Sequence, residues 1–318
     1  MIPTFTAITA IATIALLGGM AGASAQNYPT KPVRILTTVP GGATDFSARV
    51  IAQGLTARYG RQVIVENRPG VIAIETLVRA LPDGYTLLYY ASGLWIAPLM
   101  QRTSYDPLKD LAPVTLATNA PAVLAVHPSV PVKSVRDLIS LAKARPGELN
   151  YASGGPGSTP HLAAELFKSM AGVNIVRIAY KGTGPAVNSV AGGDVHVIFA
   201  TTGTVGPHVK AGRLRAVAVT SARPSVLVPD LPTVAAVLPG YELTQIQSIF
   251  APAKTPAALV NRIQQDIAAV LGQLEVKERF LRTGTEPVGS SPEVLSQTMK
   301  AEMSRLGKVL KEDGIRLD

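Results

Sequence analysis

Tyr151-Ala-Ser-Gly-Gly-Pro-Gly-Ser-Thr-Pro-His161 is the stretch on which the reading of this chain turns. A short apolar run at 149–152 reads as a strand and ends in a cluster of glycines and prolines. Thr159-Pro160 then opens a segment in which Leu162, Leu166, Phe167 and Met170 recur at helical spacing, in the favoured cap-then-proline order. A strand, a tight turn and a helix start leave unpartnered N–H groups at the positive end of a helix dipole, where an anion is stabilised. Val39-Pro-Gly-Gly-Ala-Thr-Asp45 repeats the arrangement earlier in the chain. One such turn is an ordinary strand-to-helix connection. Two of them, in two halves of one chain, predict a carboxylate gripped from both sides.

Neither turn is a nucleotide fingerprint. The second ends in Pro160 where a dinucleotide loop carries a third glycine, and neither has the Gly-Lys-Ser/Thr ending of a P-loop. The chain has 318 residues, 47% of them apolar, enough for one large core or two ordinary ones. Cysteine is absent, which removes disulfides, thiolate catalysis and cysteine metal sites. The net charge of +9 is spread along the chain without a Lys/Arg run, so nucleic acid is a poor fit and a solvated basic surface that helps draw in anions is the simpler reading. At the N-terminus an apolar run over residues 7–17 precedes Ala23-Ser24-Ala25, a small-x-small cleavage pattern, although no Lys or Arg precedes the run. The expectation is a signal peptide over 1–25, cleaved before Gln26, and an exported protein; the run is too short to span a membrane comfortably.

Beyond Pro32, short β-branched runs alternate with amphipathic segments, which predicts an α/β fold with largely parallel sheets. Strands are expected at 33–39, 62–66, 85–90, 111–118, 122–127, 149–152, 175–180, 195–199 and 215–220. Helices are expected at 45–59 and 75–80, after Ser134, from Thr159, and after Thr255-Pro256 and Ser291-Pro292, with Gly314 ending the last. No flexible linker separates the halves, so the chain is expected to cross over near 119–121 and return near 242–249. The domains then comprise 26–120 with 248–318, and 121–247.

Catalytic constellations are sparse. There is no Gly-x-Ser-x-Gly elbow and no His-Glu-x-x-His, and the four histidines share no ligand spacing, so neither a metal nor a cofactor is expected. His161 either donates to a bound carboxylate or packs on the first turn of its helix. Asp45 is either a general base or a complement to the helix dipole. Lys181 reads either as a partner for an anion or as a solvated strand end. Tyr89, Tyr90 and Trp95 either line a pocket off the strand ends or fill the core.

A series of further motifs runs along the chain: Tyr28-Pro-x-Lys-Pro-Val-Arg34, Val39-Pro-Gly-Gly-x-x-Asp45, Val65-Glu-Asn-Arg-Pro-Gly70, Pro82-Asp-Gly-Tyr-Thr86, Tyr105-Asp-Pro-Leu-Lys-Asp110 and Asn150-Tyr-Ala-Ser153. Tyr180-Lys-Gly182, Lys210-Ala-Gly-x-Leu-Arg215, Leu231-Pro-Thr-Val234 and Pro239-Gly-Tyr241 continue it. Taken in order, these motifs resemble the periplasmic solute-binding proteins of tripartite tricarboxylate transporters, the Bordetella uptake gene type. The resemblance implies a two-lobed periplasmic binding protein of the type II, Venus-flytrap kind with two crossover strands. It also implies that the ligand's carboxylate is held by Gly42, Ala43, Thr44 and Asp45 from one lobe and by Ser153, Gly157, Ser158 and Thr159 from the other. Ser92, His161, Tyr180 and Ala200 complete the positions expected to face the ligand.

Three departures from the family pattern bear on the ligand. Val71-Ile-Ala-Ile74 replaces a glycine-rich continuation, and the segment from Tyr90 to Trp95 is bulkier than usual. Ala200 stands where many members carry Asp, which removes a partner for an ammonium group. An aromatic or hydrophobic carboxylate is therefore expected rather than a citrate-like or amino-acid ligand. The implied partners are the large and small membrane subunits of such a transporter, with the binding protein itself a monomer. A sensor docking on a signalling receptor would use the same cleft. An exported ester hydrolase would need Ser158 as nucleophile and His161 as base.

Overall fold

Strand and helix alternate from Val33 onward in the computed structural model, which describes residues 28–312 apart from Val39 and Pro156. The expected signal peptide over 1–25 and the helix stop at Gly314 lie outside the described residues. Strand β1 (Val33–Thr37) leads through α1 (Ala43–Tyr59), β2 (Val63–Asn67), α2 (Gly70–Val78) and β3 (Thr86–Ala91) to α3 (Gly93–Met100). A long strand β4 (Leu111–Val126) precedes α4 (Val135–Ala144), β5 (Asn150–Ser153), α5 (Thr159–Ala171), β6 (Val176–Ala179) and α6 (Thr183–Gly192). Then come β7 (Val197–Thr201), α7 (Thr202–Lys210) and β8 (Arg215–Val219). The described residues close with β9 (Thr244–Pro252), α8 (Ala257–Leu271), α9 (Leu274–Arg282), the short β10 (Glu286–Pro287) and α10 (Pro292–Glu312).

Strand order is β2-β1-β3-β9-β4-β7-β5-β6, with β8 and β10 also paired to β4. The outer strands of each lobe run parallel, β1 with β2 and β3 on one side and β5 with β6 and β7 on the other. The centre is antiparallel. From Leu111 to Pro121, β4 pairs with β9, and from Ala122 to Val126 it pairs with β7 and β8. The break expected at 119–121 is therefore absent, because Asn119, Ala120 and Pro121 lie inside one continuous strand. Proline is tolerated where the ladder is interrupted. Pro113 sits at a register shift and Pro121 at the change of partner, so neither missing N–H leaves a gap in a regular ladder.

Three further corrections concern helices. Helix α2 begins at Gly70, so Val71-Ile-Ala-Ile74 forms its first turns, with Ala73 and Ile74 buried and Val71 and Ile72 exposed. The bulky segment after Tyr90 becomes α3, which sequence reading did not anticipate, nor did it anticipate α6 or α7. Ser158, not Thr159, occupies the cap position of α5. Ser134 does cap α4, its hydroxyl accepting from the Asp137 amide at 3.1 Å.

Apolar alternation on β1, β3 and β9 buries Ile35, Leu87, Tyr89 and Ile249 under α1 and α8. A second cluster runs through both lobes, from Leu36 and Trp95 to Phe167 and Tyr241, and α10 contributes Leu295, Met299 and Leu306 to it. Helix α10 thus packs on β4, α3 and α5 together. Where α1 meets α8, a Cβ added to Gly54 would lie 2.3 Å from Val270 Cγ1. Val270 is β-branched, so it has little freedom to turn aside.

Gly54→Ala therefore lowers stability by roughly 1–3 kcal/mol, against the gain of about 1 kcal/mol that alanine brings to an open helix site. Adding Val270→Ala clears the contact, so the substitution at Gly54 costs less in that background. Chemical denaturation of the four proteins checks this, and a Gly54→Ala protein as stable as the parent would contradict the packing argument.

Candidate functional site

Both glycine turns are closed by the same device. Gly41 and Gly157 adopt positive φ, +78° and +74°, which glycine alone adopts without strain. In each case the side chain four residues on reaches back to the glycine amide. Gly41 N–H donates to Asp45 Oδ2 at 3.0 Å, and Gly157 N–H donates to His161 Nδ1 at 3.1 Å. The turns are braced from within the protein, and the two braces differ in charge.

Asp45 is buried, yet its carboxylate also accepts from Arg49 at 3.0 and 3.1 Å and from Asn67 Nδ2 at 2.8 Å. The Arg49 guanidinium first, then the Asn67 and Gly41 donors, hold its pKa down at about 2 against the cost of burial. Asn67 also donates to Thr38 O at 2.7 Å, which ties β2 to the turn. Around the second turn, burial and the nearby Arg177 push the His161 pKa down to about 4, so the imidazole is neutral and Nδ1 is free to accept. Arg177, from β6, donates to Ser153 Oγ at 2.8 Å and to Gly154 O at 3.0 Å. Among the described residues Arg177 makes no ion pair, so the second turn keeps a positive charge beneath it.

A cavity of about 290 Å³ opens beside this second turn. Three helices begin on its wall: α3 at Ser92 and Gly93, α5 at Ser158 and Thr159, and α6 at Thr183. None of the three has a side-chain cap, so their first N–H groups have no acceptor within the helix. Ser158 Oγ is sealed from solvent and makes no hydrogen bond. Leu243, Thr244 and Gln245 bring the start of β9 to the wall, Ala91, Ile96 and Leu162 add aliphatic surface, and Glu302 enters from α10. Amide donors, hydroxyls and converging helix dipoles favour an anion, and the aliphatic surface favours an apolar body attached to it.

Of the positions expected from sequence, Ser92, Gly157, Ser158 and Thr159 meet on this wall. Ser153 and His161 lie behind the turn as braces, with Ser153 Oγ and His161 Nδ1 already engaged. Asp45 plays the same part in the first turn. Gly42, Ala43 and Thr44 head α1 at the other turn and are not on the wall, Ala43 being exposed. Tyr180 packs on the second lobe's core, and Ala200 is buried in β7 opposite Val123. Tyr89 and Trp95 are core residues, and Tyr90 faces a separate groove with Val71 and Gln101. Among the described residues no group of three His, Asp or Glu side chains is placed to hold a metal ion. Ser158 Oγ makes no hydrogen bond to His161, so the pair that an ester hydrolase would need is not formed. Sequence reading missed Thr183, Thr244, Gln245 and Glu302. Gly182-Thr183-Gly184-Pro185 carried the same glycine-and-proline signature as the other turns.

Replacing Asp45 with Asn tests the first brace. The depressed pKa means that the carboxylate stabilises the fold above the ordinary value of 3.8 and loses this effect as pH falls through about 2. Asp45→Asn is expected to cost about 1–3 kcal/mol at pH 7. In urea titrations the gap to the parent should close between pH 4 and pH 2; a gap independent of pH would refute the assignment.

Comparison with known proteins places this geometry in a family. The sequence model of the tripartite tricarboxylate transporter family receptor matches residues 47–315. Protein BugT of Bordetella pertussis is 35% identical over 312 residues, covering 96% of this chain and 96% of that protein. Among solved structures, R. palustris Rpa4515 with adipate is 36% identical, with a TM-score of 0.73 over 91% of this chain and 99% of that one. MatC from Rhodopseudomonas palustris, with bound malate, is 28% identical, with a TM-score of 0.69 over 89% of this chain and 100% of that one. This chain belongs to the tripartite tricarboxylate transporter receptor family and is a periplasmic solute-binding protein.

Proposed function

We propose that the mature chain, beginning at Gln26 after signal-peptide cleavage, captures a small organic acid in the cavity beside the second glycine turn. The lobes taken to close on it are 26–120 with 248–318, and 121–247. The closed form is then read by the transporter's membrane subunits. One observation carries this: three uncapped helix N-termini converge on one cavity whose wall also holds the buried, unpartnered hydroxyl of Ser158. An acceptor carrying negative charge is what such a set of donors lacks. Each hydrogen bond to a charged group contributes roughly 1.5–3 kcal/mol, which offsets the desolvation of a carboxylate. The body of the ligand would lie against Ile96, Leu162 and Leu243, which supports a hydrophobic acid, aromatic or aliphatic. The closed state is favoured by contacts that exist only when both lobes touch the ligand.

Thermal melting against mono-, di- and tricarboxylates, aromatic acids and amino acids tests the reading. An acid at about a hundred times its dissociation constant adds roughly 2.7 kcal/mol of stability. Ser158→Ala separates binding from folding. Removing a buried hydroxyl without a partner leaves the ligand-free protein as stable as before or slightly more so, while affinity falls about tenfold or more. Unchanged affinity in this variant would take Ser158 out of the site, and no stabilisation by any acid would overturn the function.

A further inference from the structure

Glu302 is the feature of the cavity that an anion site does not explain. It is 3% exposed, on the inner face of α10, and it is shared by two adjoining cavities. Its Oε2 accepts the indole N–H of Trp95 at 2.7 Å, whereas Oε1 accepts no hydrogen bond among the described residues. The first cavity holds the helix N-termini. The second, of about 260 Å³, is lined by Glu242, Thr298, Ala301 and Arg305, and gives the carboxyl group a route to solvent protons. Few charges face it. Helix α3 and strands β4 and β9 carry no titratable side chain. Helix α5 turns Thr159 and Leu162 to the cavity, while its His161 and Glu165 are engaged with Gly157 and Lys168. What remains is Arg305, one turn along α10, and Glu242, and these two pair with each other at 3.6 Å. Burial accordingly raises the Glu302 pKa to about 7, in spite of the Trp95 bond and Arg305.

An ionised Glu302 would repel a second negative group brought into this cavity, whereas a neutral carboxylic acid would donate to it. We propose that Glu302, with Thr244 and Gln245 beside it, forms a second subsite that donates a hydrogen bond to the further carboxylate of a dicarboxylic acid, and that such ligands are bound with uptake of one proton. The proton comes from solvent and remains on Glu302, and no covalent bond changes. The proposal rests on the carboxylate-receptor reading and adds what selects among carboxylates.

Adipate and hexanoate, six-carbon acids with two carboxyl groups and one, are the probes. Isothermal titration of the protein from Gln26 onward, in buffers of different ionisation enthalpy between pH 6 and 9, reports affinity and proton uptake together. For adipate the expectation is uptake approaching one proton at pH 8 and above, with affinity falling about tenfold for each pH unit above 7. Hexanoate should bind with neither effect. Glu302→Gln keeps an acceptor for Trp95 and imitates the neutral acid, so its adipate affinity should be independent of pH and about 100-fold above the parent's at pH 9. Thermal melting without ligand checks that this variant is folded, and the proton count on the parent needs no variant. Adipate affinity that is flat or rises with pH, or a hexanoate response equal to that of adipate, would overturn the subsite while leaving the receptor reading in place. Failure of both acids to bind at any pH would overturn both.

Discussion

Between Leu111 and Pro121 the backbone of β4 is paired with β9, and from Ala122 the same strand is paired with β7 and β8. One extended segment thereby belongs to two sheets, and the orientation of each lobe is referred to a single strand. β9 starts at the changeover, with Thr244 opposite Pro121. That is why Leu243, Thr244 and Gln245 reach the cavity wall. Helices whose N-termini point at the same space are set there by the strands before them, α3 by β3, α5 by β5 and α6 by β6. The convergence of dipoles follows from strand polarity and needs no special loop at each position.

The two glycine turns show how one backbone solution takes on different electrostatics. Each has a glycine with positive φ, whose amide is bound by the side chain four residues on. In the first, Asp45 and Arg49 cancel each other. In the second the brace is a neutral imidazole, and the Arg177 guanidinium beneath it has no acidic partner among the described residues. Anion affinity is thus weighted toward the second turn, which is also the turn on the cavity wall. Met100 seals this arrangement from the first lobe, its Cε lying 2.9 Å from where a Cβ on Gly157 would sit.

Much of this was legible in the sequence. The glycine turns announce themselves because only glycine takes the required φ, and the strand-helix alternation follows from side-chain period. Asn119-Ala-Pro121 misled because Asn and Pro are depleted in strands. Their place at a change of partner is a tertiary fact. Asp45 and His161 were legible as important positions, but not their inward direction, which depends on Arg49, Asn67 and Arg177 arriving from elsewhere. Glu302 was invisible. In an amphipathic helix with many charges a glutamate reads as solvated, and only the wedging of α10 between β4, α3 and α5 removes it from water. The third helix start, at Thr183, was missed for a different reason. Its glycines and proline read equally as an ordinary turn after a strand.

The position of β9 between β3 and β4 has a consequence for how the chain acquires its structure. β3 ends at Ala91 and β4 begins at Leu111, close in sequence, yet the strand between them comes from Thr244–Pro252. Until that segment arrives, two apolar strand edges in the N-terminal half have no neighbour. Loop-closure entropy has to be met before these contacts give anything back, which makes assembly of the first lobe a late, slow event. The whole second lobe is synthesised in between and has its own parallel sheet to assemble. The first three strands of the chain therefore depend, for the neighbour that joins them to β4, on residues that follow all of β5 to β8, and a chain cut short before Thr244 leaves the β3 edge open to wrong pairing.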